Sequence, residues 1–155
     1  MPMTEKGLTE DDAADRLVRP AERRDVPGCA QVVNDWIDAT CWMPRAHSRA
    51  EIEGFIDEAF DLREIWVCGD PVEAYLAFDR DSAKIGALYC ARTGAGLGKA
   101  LLDRVRQGRD FVWLSTHEPN LLAQAFYRRE GFTEVGRYDP EPPETVREVK
   151  MEWRA

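Results

Sequence analysis

The stretch from Lys84 to Leu114 constrains this chain more than any other. It reads as an apolar run, Lys84–Cys90, a glycine-rich loop, Gly94–Lys99, a helical segment, and a second apolar run, Phe111–Leu114. The helical segment, Leu97 to about Gln107, sets Leu97, Leu101, Leu102 and Val105 on one side. A strand, a helix and a strand joined in this way form a crossover unit, so the two strands lie parallel. The preceding residues impose the opposite arrangement. Glu64–Cys68, Val72–Phe78 and Lys84–Cys90 are separated only by the turns Gly69-Asp70-Pro71 and Asp79–Ser82. Those turns are too short for a crossover and give an antiparallel meander. One parallel pair inside an otherwise antiparallel sheet is a narrow specification.

The other elements complete it. Arg16–Arg19 reads as a short strand closed by Pro20. Asp25 is placed to cap a helix with Pro27 in its first turn and Val32, Val33, Trp36 and Ile37 as its apolar stripe. Ser48 and Glu51 form a capping box for a second helix that buries Ile52, Phe55, Ile56 and Phe60. A further helix runs from Asn120 to Arg129 and ends at Gly131, which suits a C-cap glycine. Strands at Thr133–Tyr138 and Val146–Trp153 flank a turn from Pro140 to Glu144. The expected fold is mixed α+β: a sheet of about seven strands with about four helices on its faces. Residues 1–14 are polar and acidic and read as a disordered tail, and residues 15–155 as one domain.

Composition removes several function classes. The chain has 155 residues and a formal net charge of −8, which argues against a nucleic-acid surface. Cys29, Cys41, Cys68 and Cys90 lack zinc-site spacing, so no metal is expected. Three of them sit in apolar runs, as buried free thiols of a reducing compartment do. No apolar run is long enough to span a bilayer, and Met1–Lys6 lacks a signal-peptide core. A cytoplasmic protein with no membrane partner, as a monomer or homodimer, is the expectation.

The loop Thr93-Gly94-Ala95-Gly96-Leu97-Gly98-Lys99 opens a helix, where free N–H groups and the helix dipole favour a phosphate. The dinucleotide fingerprint fails because Lys99 stands where a third glycine is needed, and the P-loop pattern fails at Thr93 and Ala100. The loop is similar to the [Q/R]-x-x-G-x-[G/A] loop of coenzyme A-dependent acyltransferases, here Thr93-x-x-Gly96-x-Gly98. Downstream, Asn120, Ala123, Tyr127, Gly131 and Phe132 stand at the spacing N-x-x-A-x-x-x-Y-x-x-x-G-F. That segment resembles the GNAT-type N-acetyltransferase superfamily, and the element order from Arg16 to Trp153 resembles it too. The departures are Thr93 in place of Gln or Arg and a link from Cys90 that is about two residues shorter than usual. Arg92 stands beside Thr93 as a substitute charge.

The resemblance implies a splayed parallel pair that takes the pantetheine arm of acetyl-CoA. Backbone groups of Leu88, Tyr89 and Cys90 would line that arm. Thr93, Gly94, Ala95, Gly96, Leu97, Gly98 and Lys99 would hold the pyrophosphate. Asn120 and Tyr127 are two helical turns apart and share a face. By resemblance, Asn120 contacts the coenzyme and Tyr127 gives a proton to the leaving thiolate. Direct attack by an amine then needs no enzyme nucleophile, and Cys90 has no neighbouring base in the sequence. His117, Glu118, Glu73 and Asp79 are candidates to take the amine proton, His117 foremost. The acceptor pocket is expected between the first two helices, with Trp42 and Met43 as an apolar wall and Arg45 and His47 as polar contacts. The rival reading is a non-catalytic acyl-CoA-sensing or protein-interaction domain of the same fold.

Overall fold

A computed structural model describes residues 18–155. The expected tail, and the first two residues of the Arg16–Arg19 strand, lie outside them. The elements run β1 Val18–Pro20, a short 3-10 turn at Arg23–Asp25, α1 Val26–Ala39, α2 Arg49–Ala59, β2 Glu64–Cys68, β3 Ala74–Asp79, β4 Lys84–Cys90, α3 Leu97–Arg106, β5 Phe111–His117, α4 Leu121–Arg129, β6 Thr133–Tyr138 and β7 Glu148–Arg154. They build one seven-stranded sheet in the order β1-β2-β3-β4-β5-β7-β6. Every neighbouring pair is antiparallel except β4 and β5. The mixed sheet, the parallel pair and the four helices are those expected from the sequence. Among the described residues, no helix is long and apolar enough to cross a membrane.

The helices sit in two layers. On one face, α3 and α4 cover a core that includes Leu76, Phe78, Leu101, Leu102, Val112, Leu114, Val149 and Met151. On the other, α1 and α2 cover Ile65, Val67, Tyr75 and Ala77. β3 is buried on both faces, which is why its sequence shows no alternation. β5 does alternate: Val112, Leu114 and Thr116 are buried, while Phe111, Trp113, Ser115 and His117 are only half-buried. The α1/α2 layer therefore stops short of β5 and β7 and leaves part of the sheet face accessible.

β5 extends three residues past the expected Leu114, because pairing with β7 carries it through Ser115↔Lys150, Thr116↔Val149 and His117↔Glu148. The Ser48–Glu51 capping box is present. Gly131 ends α4 at φ +92°, with the Phe132 N–H returning to the Tyr127 carbonyl at 2.9 Å.

Asp25 departs from the expectation. Its side chain does not cap α1. Instead the carboxylate, only 4% exposed, takes both Arg19 guanidinium nitrogens at 2.8 and 2.9 Å and the Glu22 N–H at 2.8 Å. Arg19 also reaches the Gly69 carbonyl at 3.1 Å, so this pair ties β1, the start of α1 and the β2–β3 turn together. A fork-to-carboxylate bond is a stronger use of a buried Asp than a cap.

The Arg19 guanidinium holds the Asp25 carboxyl below its ordinary range, against the opposing effect of burial. A depressed folded-state pKa contributes stability above the unfolded-state value and loses it as pH falls through the folded one. Asp25→Asn should therefore destabilise the fold most above about pH 5. The gap to wild type in urea unfolding should close as the pH falls through the carboxylate range.

Candidate active site

The parallel pairing of β4 and β5 lasts for two residues, Lys84↔Trp113 and Ile85↔Leu114. It ends at a bulge: β3 pairs Phe78 with Ile85 and Ala77 with Ala87, so Gly86 is the extra residue. A bulge bends its strand and increases its twist. Beyond it, Ala87–Cys90 stay with β3, and Ser115–His117 stay with β7. A gap opens between the two strands, and their facing backbone groups have no ladder partner across it. Such groups suit a ligand that carries amides.

Alternation along β4 gives the gap two sides. Leu88 and Cys90 pack with the α3/α4 core and Tyr89 with the α1/α2 core. On the α3/α4 side, Gly94 and Gly96 have φ of +78° and +77°, a left-handed backbone that other residues adopt at a cost. Gly96 directly precedes α3, and its carbonyl takes the Ala100 N–H at 3.0 Å. The first-turn amides at Leu97, Gly98 and Lys99 have no acceptor within the helix. A Cβ on Gly98 would lie 3.2 Å from the Phe126 ring and 3.8 Å from Cys90 Sγ, so this glycine sets the approach of α3 to α4. Thr93 and Gly94 are exposed, whereas Ala95 and Leu97 are buried. The expected substitute charge is not free, because Arg92 Nε is 2.8 Å from Glu73. Lys99 is likewise paired with Asp103 at 2.7 Å.

α4 brings two side chains to this side. Asn120 Oδ1 caps the helix by accepting the Ala123 N–H at 3.0 Å, which leaves its NH₂ donors. Tyr127 is 8% exposed and packs against Phe126 and Phe132, with ring centroids 5.3 and 5.5 Å away. Its hydroxyl has no hydrogen-bond partner among the described residues and is not fully enclosed. Burial, helped by Cys90 and Tyr89, pushes the phenol above its ordinary value near 10, so it is protonated at neutral pH. Burial likewise pushes the Cys90 thiol up to about 12, which leaves it a poor nucleophile.

On the α1/α2 side, His117 ends β5. Its ring stacks on Trp36 at 5.8 Å and lies 5.6 Å from Trp42. Trp36 meets Trp42 edge-on at 5.6 Å and Tyr89 at 5.4 Å. Burial lowers the His117 pKa, opposed by the carboxylates of Glu148 and Glu144. Across the sheet, His117 lies opposite Glu148, and Glu148 opposite Tyr138. The Tyr138 and Ser115 hydroxyls are bonded to each other.

The sequence candidates divide accordingly. Trp42 joins the aromatic cluster. His47 instead meets Phe55 edge-on at 4.9 Å, with Nε2 3.4 Å from Glu144. Arg45 is committed to Asn34 Oδ1 and Asp38, each at 2.8 Å, and so holds the loop. Met43 is half-buried in that loop, with its N–H on the Thr40 carbonyl at 3.0 Å. Among the candidate bases, Glu118 is bound by Arg137 at 3.1 Å and Glu73 by Arg92. Asp79 faces Lys84 at the opposite end of β4 and accepts from the 79–82 turn. Of these candidates His117 alone lies at the gap, and its ring nitrogens have no hydrogen-bond partner among the described residues.

Three residues of the site escape a reading by pattern. Trp36 has the spacing of a core stripe, and Glu148 is one acid among many. Gln124 is 2% exposed, and its Nε2 donates to the carbonyls of His117 at 3.2 Å and Glu118 at 2.8 Å. A buried Gln in a helix was the one available signal, since it needs partners somewhere.

No protein-family model matches the sequence, and no curated protein matches it either. Solved structures do. The ribosomal-protein-alanine N-acetyltransferase of Brucella melitensis superposes with a TM-score of 0.67 at 18% identity, covering 90% of this chain and 99% of its own. A GNAT-family acetyltransferase of Bacillus cereus gives 0.68 at 15% identity, covering 88% and 95%. YncA of Salmonella typhimurium, solved with its cofactor acetyl-CoA, gives 0.64 at 18% identity, covering 88% and 92%. The fold is that of the GNAT-type acetyltransferases.

The thiol environments predict an order of labelling. Cys41 is exposed, Cys29 is buried with its thiol pushed up to about 12, and Cys90 resembles Cys29. Brief alkylation of the native protein near neutral pH, read by peptide mass spectrometry, should modify Cys41 well before Cys29 or Cys90.

Proposed function

We propose that this chain, which has the fold of the GNAT-type acetyltransferases, transfers the acetyl group of acetyl-CoA to a primary amine of a small molecule or peptide. The observation that carries the reading is the protonated, unpartnered phenol of Tyr127 beside the gap between β4 and β5. The residues present fit acetyl-CoA. The left-handed glycines and free amides at the start of α3 suit the pyrophosphate, and the unpaired strand edges and the Asn120 amide suit pantetheine. Among the described residues, no group of three metal-ligating side chains is assembled.

In the proposed reaction, His117 takes a proton from the ammonium form of the acceptor. Burial favours the neutral imidazole, which is the form a base needs. The amine nitrogen forms its bond to the thioester carbonyl carbon while a β4 backbone N–H polarises the carbonyl oxygen. As the carbon–sulfur bond breaks, Tyr127 gives its proton to the departing sulfur, and the second proton that the nitrogen sheds on becoming an amide passes to solvent, from which the phenol is restored. In water a phenol would not readily protonate a thiolate, whose parent thiol has a pKa near 8.5. Cys90 reports what this environment does to a thiol: burial beside Tyr127 moves it to about 12. A coenzyme thiolate held there would be destabilised in the same way, but the same burial also raises the Tyr127 phenol, so the gap between donor and acceptor narrows only in part.

The alternative, a domain that binds acyl-CoA without turnover, draws on the loop cations, since Arg92 and Lys99 are both paired. Calorimetry followed by a thiol-release assay separates the two. Acetyl-CoA should bind, and an amine panel should contain at least one acceptor. Absence of binding at millimolar ligand would end the enzyme reading, and binding without release for every amine would favour the sensor. Tyr127→Phe should lower kcat about 100-fold with little change in acetyl-CoA affinity. His117→Gln should remove an acid limb of the rate profile that lies below the ordinary imidazole range.

A further inference from the structure

Four aromatic side chains meet on the α1/α2 side of the gap: Trp36, Trp42, Tyr89 and His117. All are half-buried, so together they form a wall that keeps some accessible surface. The charges around this wall are unequal. Glu148 lies directly across the sheet from His117, and Glu144 reaches His47 from the β6–β7 connection. Two nearby cations are already paired: Arg45 is held by Asn34 and Asp38, and Arg49 by Asp35 and Asp38, while Lys150 sits 4.5 Å above the Trp113 ring and keeps its charge. Among the described residues, neither arginine is free to receive a carboxylate.

We infer that the amine acceptor is a cation carried on an aromatic ring, with no carboxylate next to the amine. This rests on the acetyl-transfer reading and names its substrate class. Tryptophan and tyrosine faces attract both flat rings and ammonium groups. Glu144 and Glu148 add attraction for the ammonium and repel an amino acid's carboxylate. The His47–Glu144 contact joins the α1–α2 loop to the β6–β7 connection. An extended peptide laid across this contact would have to displace it.

Calorimetry on the full chain tests this, with and without saturating desulfo-coenzyme A. The titrants are phenethylamine, phenylalanine, hexylamine and an alanine-starting tetrapeptide. Phenethylamine should bind about ten-fold tighter than phenylalanine, which differs only by its carboxylate. It should bind about five-fold tighter than hexylamine, which lacks the ring. Trp42→Ala should weaken phenethylamine about ten-fold, and Glu148→Gln should narrow the discrimination against phenylalanine, with thermal melts confirming both folds. Equal or tighter binding of phenylalanine, hexylamine or the peptide overturns the inference, as does no phenethylamine binding in either condition. Selective phenethylamine binding by a protein that does not bind acetyl-CoA leaves the wall as assigned and removes the transfer reading.

Discussion

The site depends on where one strand pairing stops. A parallel pair in a sheet this size would ordinarily continue along both strands, and the backbone groups of β4 and β5 would satisfy each other. Gly86 prevents that by occupying a bulge, and each strand keeps only its outer neighbour afterwards. The opening is stable because each strand is secured on its far side: β4 by β3, and β5 by a long ladder to β7. The slot is thus an omission enforced by the surrounding sheet.

Strand alternation then sorts the chemistry. Successive residues of β4 point to opposite layers, so Cys90 shares its environment with Tyr127, and Tyr89 shares its environment with Trp36. In the proposed reaction the acyl donor and the amine approach from opposite faces and meet in the plane of the sheet. Burial acts on both sides but with different results. It keeps a phenol protonated on one side and an imidazole neutral on the other, the states an acid and a base require.

The sequence revealed most of the frame because the frame follows local rules. The short turns, the Ser48 capping box, Gly131 and the crossover unit each have a physical reason that operates within a few residues. Asn120 and Tyr127 stood out by resemblance to a GNAT-type segment, and their spacing of two turns places them on one helix face. What stayed hidden depends on contacts between distant segments. The insertion of β7 between β5 and β6 lengthened β5 and brought Glu148 opposite His117. Nothing near Trp36 distinguishes it from the stripe that buries Val32 and Val33, yet it lies at the end of α1 that reaches the gap. The commitments of Arg45, Arg92 and Asp25 were also invisible, since each is decided by a partner from another element or the far side of a loop.

Gln124 has a consequence that concerns mechanical linkage. Its amide is anchored in the helix that carries Tyr127, and it grips the two carbonyls where β5 ends at His117. The proposed proton donor and proton acceptor belong to different layers of the molecule, yet this side chain, with the Asn120 N–H on the His117 carbonyl at 2.9 Å, couples their supports. A shift of α4 along its axis would drag the end of β5 with it. The spacing between the two groups is therefore set jointly by α4 and the end of β5.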